Sequence, residues 1–313
     1  MRAHASLCGL IASLALTGCM TVPPTPKAMP ADGTRAAPQP ATAPSAAQSE
    51  ALRAYYAQVQ ASLLAQGLLR GDGGGPDTPF DADTLVRNFQ TIALFEEYAT
   101  VGGRIVARQT ASRLHRWDMP VRINVEFGGA IPLDAQLRDR HAIERYATRL
   151  SRVMDHPVSV TDGIANFHVF VVDEGARRAL GPRLREIIPV IDAASISAVT
   201  DLPRSSYCLV FAWDPGDDGT YAKAVAVIRA EHPDMMRLSC IHEEIAQGMG
   251  LSNDSPKARP SIFNDDEEFG LLTSHDEALL SILYDPRLRP GMTAAEALPI
   301  VRRIAAEKMG GPS

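Results

Sequence analysis

Residues Met20 to Ser49 set the first limit on what this chain can fold into. Seven prolines (Pro23, Pro24, Pro26, Pro30, Pro38, Pro40 and Pro44) stand there among alanine, threonine and serine, with almost no apolar bulk. Such a stretch cannot bury enough surface to offset the entropy of ordering it. It reads as a tether, so the core must come from the residues beyond it. Its thirty residues reach about 30 Å as a flexible coil and about 90 Å as an extended polyproline II rod.

What precedes the tether says where it leads. Arg2 supplies a positive charge, and Leu7 to Leu16 is an apolar run too short to span a bilayer as a helix. The run ends in Leu16-Thr17-Gly18-Cys19, which resembles a bacterial lipobox. The resemblance implies a lipoprotein signal peptide over residues 1–18, lipidation of Cys19 at the mature N-terminus, and a lipidated tether over residues 19–49. Met20 rather than an aspartate follows the cysteine, which by the bacterial sorting rule implies the outer membrane of a Gram-negative cell, facing the periplasm. The other reading is an ordinary secretory peptide that contains Cys19. The expected localisation is the cell envelope, with a membrane as partner through the N-terminal lipid anchor.

Cysteine usage agrees with that compartment. Cys8 leaves with the signal peptide and Cys19 carries lipid, so Cys208 and Cys240 remain. An even remainder in an oxidising periplasm suggests a disulfide, closing a loop worth roughly 3–4 kcal/mol in the chain-entropy model. Two buried thiols are the alternative; a zinc site is disfavoured because neither cysteine has a neighbour at CxxC spacing. The chain is 45% hydrophobic and carries 31 Lys+Arg against 37 Asp+Glu, a formal net charge of −6. That balance is globular and argues against a nucleic-acid partner.

The remaining residues read as an α+β domain with a mixed β-sheet and packed helices. Glu50 to about Leu69 has apolar residues at helical spacing (Leu52, Tyr55, Tyr56, Val59, Leu63, Leu64) and ends at the Gly71–Pro76 breaker, giving an N-terminal helix and Gly-rich linker over 50–75. A single domain is expected over 80–308. Val121, Ile123 and Val125 alternate with polar residues as a strand, and a helix is expected over Leu137 to Met154. A second strand is expected at Asn166 to Val172 and a helix over Ala176 to Ile188. Tyr207–Trp213 and Tyr221–Ala230 flank Asp214-Pro215-Gly216-Asp217-Asp218-Gly219 as a hairpin, which argues against an all-parallel sheet. Helices are expected from Pro233 to Gly250, Ser274 to Tyr284 and Ala294 to Lys308. Arg177, Arg178, Arg183 and Arg185 read as a solubilising helix face.

The chemistry-bearing residues gather between Leu238 and Asp285. At 100° per residue, Leu238, Ile241, Ile245 and Met249 share one stripe of a helix, while Glu243, Gln247 and Gly250 lie opposite. The plain reading is a solvated face. Gly248 is the residue that reading leaves unexplained, since a mid-helix glycine costs roughly 1 kcal/mol. Glu243-Glu244-x-x-Gln247-x-x-Gly250-Leu251-x-Asn253 resembles the metzincin zinc motif His-Glu-x-x-His-x-x-Gly-x-x-His. Ser261-Ile262-Phe263-Asn264 sits where matrixin-type metzincins carry their Met-turn, and Leu272 to Tyr284 is similar to their closing helix. With Tyr284-Asp285-Pro286-Arg287 and the segment to Met292, the same stretch also resembles a family of bacterial lipoproteins and secreted proteins, domain of unknown function 2927 (DUF2927), from about Leu85 to Ile300.

The first resemblance implies a zincin-like (metzincin-related) core, and its departures imply a site that is not a peptidase. Glu243, Gln247 and Asn253 occupy the three histidine positions, and only Glu244 falls on the general-base position. Zinc prefers imidazole and thiolate, and without it Glu244 lacks an activated water to deprotonate. The expected function is therefore a non-catalytic binding protein of the envelope whose partner is an envelope protein or ligand. Its ligand contacts would be Glu243, Glu244, Gln247, Asn253 and Asp254. The alternative is an unusual hydrolase that uses Glu243 or Glu244 as catalytic base with a non-zinc cation. No resident cofactor is expected, although the acidic run Asn264 to Glu268 with Asp254 has the oxygen ligands that Ca²⁺ takes. His232, His242 and His275 would form a metal site only by converging in the fold.

Overall fold

A computed structural model describes residues 46–101, 104–264 and 266–310, all within one compact unit. Cys19 and the residues read as leader, together with the tether up to position 45, lie outside the described residues. In chain order the elements are α1 (Ala46–Ala65), α2 (Ala82–Ala93), β1 (Phe95–Val101), β2 (Arg104–Ala111), β3 (Val121–Gly128), α3 (Leu133–Met154), β4 (Val158–Val160) and β5 (Phe167–Val172). Then follow α4 (Glu174–Arg178), α5 (Gly181–Ile187), α6 (Ala193–Thr200), β6 (Cys208–Trp213), β7 (Lys223–Arg229), α7 (Asp234–Gln247), α8 (Ser274–Leu283) and α9 (Ala294–Lys308). None of the described helices is long and apolar enough to cross a membrane.

A five-stranded sheet of order β4-β3-β5-β7-β6 organises the unit; β6 alone is antiparallel, and it stands at the edge. β1 and β2 form a separate antiparallel hairpin. The sheet is sandwiched, and the period of two shows why. Phe167, Val169 and Val171 of β5 and Ala224, Ala226 and Ile228 of β7 enter the large core with α7, α3, α8, α2 and α9. The intervening Phe170, Val172, Val225 and Val227 enter a smaller core closed by Leu184 of α5 and by Ile196 and Val199 of α6. Every residue of β5 is buried, as a central strand covered on both faces requires.

Two glycines let α7 sit against this sheet. A methyl group at Gly248 would lie 2.6 Å from Phe167 Cζ, so the glycine is the close-approach point of helix end and strand. Gly250 has φ +120° and would strike the His115 carbonyl at 2.2 Å. Trp117 Nε1 donates to the Gly248 carbonyl at 2.8 Å, and the Tyr284 hydroxyl donates to that of Met249 at 2.9 Å, which closes the helix terminus.

Three local readings change. The helix expected over Ala176 to Ile188 is two helices, broken at Ala179-Leu180, with Gly181-Pro182 opening the second. Arg177 is fully buried rather than solubilising: its guanidinium pairs with Glu174 Oε1 at 2.8 Å and donates to the Val199 carbonyl. α1 begins at Ala46, inside the stretch read as tether, because Ser49 Oγ donates to buried Glu231 Oε1 at 2.8 Å. Tyr56, also buried, packs edge-on to His232 at 4.4 Å and donates to the Arg204 carbonyl.

Candidate functional site

The edge strand β6 and the helix α7 face each other across a cleft of about 660 Å³. Cys208 on β6 and Cys240 on α7 form the expected disulfide, with Cα atoms 5.9 Å apart, and so join the two walls covalently. Every residue from Ser205 to Asp214 lines the cleft on one side; Glu243, Glu244, Gln247 and Gly248 line it on the other. Because consecutive residues of a strand point to opposite faces, an unbroken run of lining residues means that the cleft follows the strand's edge. Among the described residues no further strand pairs with that edge.

The walls are polar and aromatic. Glu244 is 4% exposed and Gln247 7% exposed, so the face read as solvated turns into a cleft and not into open water. Gln247 Nε2 donates to Asp254 Oδ1 at 3.0 Å, which brings the loop after α7 into the site. Asp214 is fixed by the Gly216 and Gly219 amides at 3.0 and 2.7 Å, and its carboxylate lies 3.6 Å from His115 Nε2. The His115 ring stacks on Tyr221 at 5.3 Å. Burial pushes the hydroxyl of Tyr221 well up and that of Tyr207 up. At the base of β1, Glu96 accepts from Ser112 Oγ, while Ser252 Oγ donates to the Phe95 carbonyl.

The fold brings Glu243, Glu244, Gln247 and Asp254 together and leaves Asn253 out. Asn253 is 2% exposed and does not line the cleft. Its amide donates to the carbonyls of Thr91 and Asp254, and its backbone N–H to Ile92, so it closes the end of α2. The loop geometry explains the displacement: α7 stops at Gln247, and the chain turns at Gly250 before position 253 is reached.

The three histidines stay apart. His232 lies between Tyr56 and Tyr207, 3.8 Å from Cys240 Sγ; His242 stacks on Tyr146 at 4.0 Å and accepts from the Leu272 N–H; His275 meets Asn88 at 3.0 Å. Burial lowers the pKa of both His232 and His242 to about 3, which keeps them neutral. Of the acidic run, Glu268 pairs with Arg259 and Arg70, and Asn264 donates to Asp266. Asp265 lies outside the described residues. Among the described residues, no three His, Cys, Asp or Glu side chains are grouped to hold a metal ion. Ser261-Ile262-Phe263 is a structural turn, with Ser261 Oγ and the Ile262 N–H bound to buried Asp276 of α8.

Glu96, His115, Tyr207, Trp213, Asp214, Asp217 and Tyr221 line the cleft without having been singled out. For Asp214 the signal was present, since an Asp-Pro-Gly turn after an edge strand points its carboxylate back at the strand end. Glu96 and His115 arrive from distant segments and carry no local mark.

No curated protein and no solved structure matches the chain. A family model does, described as a protein of unknown function (DUF2927), over residues 82–303, which takes in α2 through most of α9 and leaves α1 outside. The chain belongs to the DUF2927 family.

Proposed function

We propose that the protein is a non-catalytic recognition protein of the cell envelope, anchored through lipid on Cys19 to the outer membrane and facing the periplasm. Its zincin-like core would bind an extended polypeptide strand in the cleft between β6 and α7. One observation carries this reading: the cleft follows the whole free edge of β6, about 20 Å of backbone, with the carboxylate and amide side chains of α7 opposite it. An added strand would gain main-chain hydrogen bonds from β6, and the side chains on both walls would set its sequence preference. Glu243 and Gln247 stand where a zinc site would need nitrogen or sulfur, so the same residues serve recognition better than metal catalysis.

The test is selection of random decapeptides on the full chain, followed by hydrogen exchange. Bound peptides are expected to protect the amides of Cys208–Trp213. Peptides that bind and leave those amides exchanging, or a selection that enriches none, would overturn the strand reading.

A second reading has one observation in its favour: Glu244, nearly buried, stands on the wall of an open cleft, a setting in which carboxylates act as general bases. It makes the protein a hydrolase with a cation held by Glu243, Gln247 and Asp254. Elemental mass spectrometry of the native protein separates the two. A stoichiometric divalent metal lost in Glu243→Ala would favour the hydrolase, and Glu244→Gln should then abolish turnover with the fold intact.

A further inference from the structure

The exposed side of α3 carries a stripe that the cleft does not use. Leu133 is 69% exposed and Leu137 48% exposed at the start of the helix. Arg138, His141, Arg145 and Arg152 follow at three- to seven-residue steps, all exposed. Successive steps of three and four keep them on one face of a helix that is about 33 Å long. Carboxylates on this side include Asp134, which pairs with Arg138, Asp234 of α7, which also faces Arg138 while pairing with Arg237, Glu144, which pairs with Arg140 and His141, and Asp162, which pairs with Arg140. Among the described residues Arg145 and Arg152 make no ion pair, so the stripe is basic in a chain whose net charge is −6.

Where the chain enters the fold gives this stripe a partner. α1 starts at Ala46, and its Arg53 lines a cavity of about 290 Å³ together with Ala130, Ile131, Pro132, Ala135 and Arg138. The N-terminal half of α1, where the described residues begin, therefore lies beside the Leu133–Arg138 end of α3. On the lipid-anchor reading, a long tether would keep the whole domain close to a membrane, and the unpaired arginines and exposed leucines of α3 are what such a surface would attract.

We propose that the α3 face docks on an anionic phospholipid surface, with Leu133 and Leu137 entering the headgroup layer and Arg138, Arg145 and Arg152 meeting lipid phosphates. The proposal builds on the lipid-anchor reading but does not require the lipid itself. An arginine near an anionic surface is attracted to it, and the attraction is screened by salt. Docked this way, the anchor and the helix act as two linked signals, neither of which alone holds a protein firmly.

The test uses the full chain with Cys19→Ser, so that no acyl chain drives binding, and vesicles of phosphatidylcholine with or without 40% phosphatidylglycerol. Cosedimentation is expected with the anionic vesicles and is expected to fall as salt rises to 500 mM. Arg145→Glu with Arg152→Glu should weaken it at least tenfold, and Leu137→Ser severalfold, with circular dichroism unchanged. Equal binding to both vesicle types, no binding to either, or indifference to the double charge reversal would overturn the docking face. The anchor reading is judged separately: Cys19→Ser should release the protein from the envelope membrane fraction in cells. A protein that never was in that fraction would overturn the anchor, whatever the vesicles show.

Discussion

Two polar regions flank β7 and are built in opposite ways. At the carboxyl ends of β5 and β7, Glu174 is 7% exposed and has three arginines around it: Arg177, Arg178 and Arg229, each at 2.7–2.8 Å. Arg229 also donates to the carbonyls of Leu202 and Pro203, and Glu231 accepts from the Glu174 N–H and from Ser49. Charges there meet their counterions on neighbouring elements and leave the junction closed. On the other side of β7, the β6–α7 cleft arranges carboxylates, amides, hydroxyls and aromatic rings around open volume. Charge enclosed with its partners holds elements together; polar groups arranged around a space are placed to meet something else. Composition does not separate the two regions. The geometry does.

The largest effect should come from breaking the closed region. Glu174→Ala would leave Arg177 and Arg229 buried without their shared carboxylate, and a loss of about 3–5 kcal/mol is expected by urea denaturation. A loss under about 1 kcal/mol would mean that this junction is as tolerant as the cleft, and the comparison would fail. Acid should act next, through the two buried histidines His232 and His242. His232 and His242 titrate near pH 3 when folded, against an ordinary value of 6.5. Their contribution to stability is complete above pH 6.5, where both states are neutral, and is lost as pH falls from 6.5 toward 3, because only the unfolded chain takes up the proton. Linkage puts the loss at about 2 kcal/mol per histidine by pH 5. His242→Gln should flatten that slope in thermal melts; an unchanged slope would assign the acid sensitivity elsewhere.

A smaller change sharpens the boundary between packed and open sides of α7. Gly248→Ala forces a methyl group against Phe167 and should cost about 1–3 kcal/mol, although alanine is the better helix former. If the variant is instead stabilised, helix and strand have more room than the close approach allows. The smallest effect is expected on the open side. Asp217 is exposed, sits at φ +50° and lines the cleft, a backbone setting that asparagine tolerates. Asp217→Asn should alter stability by no more than about 0.5 kcal/mol while changing the affinity of peptides selected on the wild-type chain. Unchanged affinity would remove the Asp214–Gly219 turn from the recognition surface.

The same contrast marks what the sequence could tell. β3, β5 and the β6–β7 hairpin were legible because alternation and turn chemistry are local properties, and α7 and α8 because their stripes have the helical period. The disulfide followed from counting cysteines by compartment. The burial of Arg177 with Glu174 is not legible, because it depends on α4 ending at Arg178 and α5 starting afresh at Gly181-Pro182, which a run of arginines does not reveal. α2 and the β1–β2 hairpin fell in a stretch of mixed pattern and were not separated. In the cleft, Glu243, Glu244, Gln247 and Asp254 were readable from one helix and its exit. Asn253 kept the motif's spacing but is carried by the turn at Gly250 to the far side. Glu96, His115 and Tyr221 come from three other parts of the chain, and only the fold assembles them.

The Cys208–Cys240 bond has a kinetic consequence. It holds the first residue of the edge strand to the middle of α7, so the two walls cannot splay apart and their spacing is set before any ligand arrives. A strand entering the cleft would meet a preorganised slot and have only its own disorder to give up. Association should then run at the ordinary docking rates of about 10⁵–10⁷ M⁻¹s⁻¹ without a slow opening step, and differences among ligands should appear in how long each one stays.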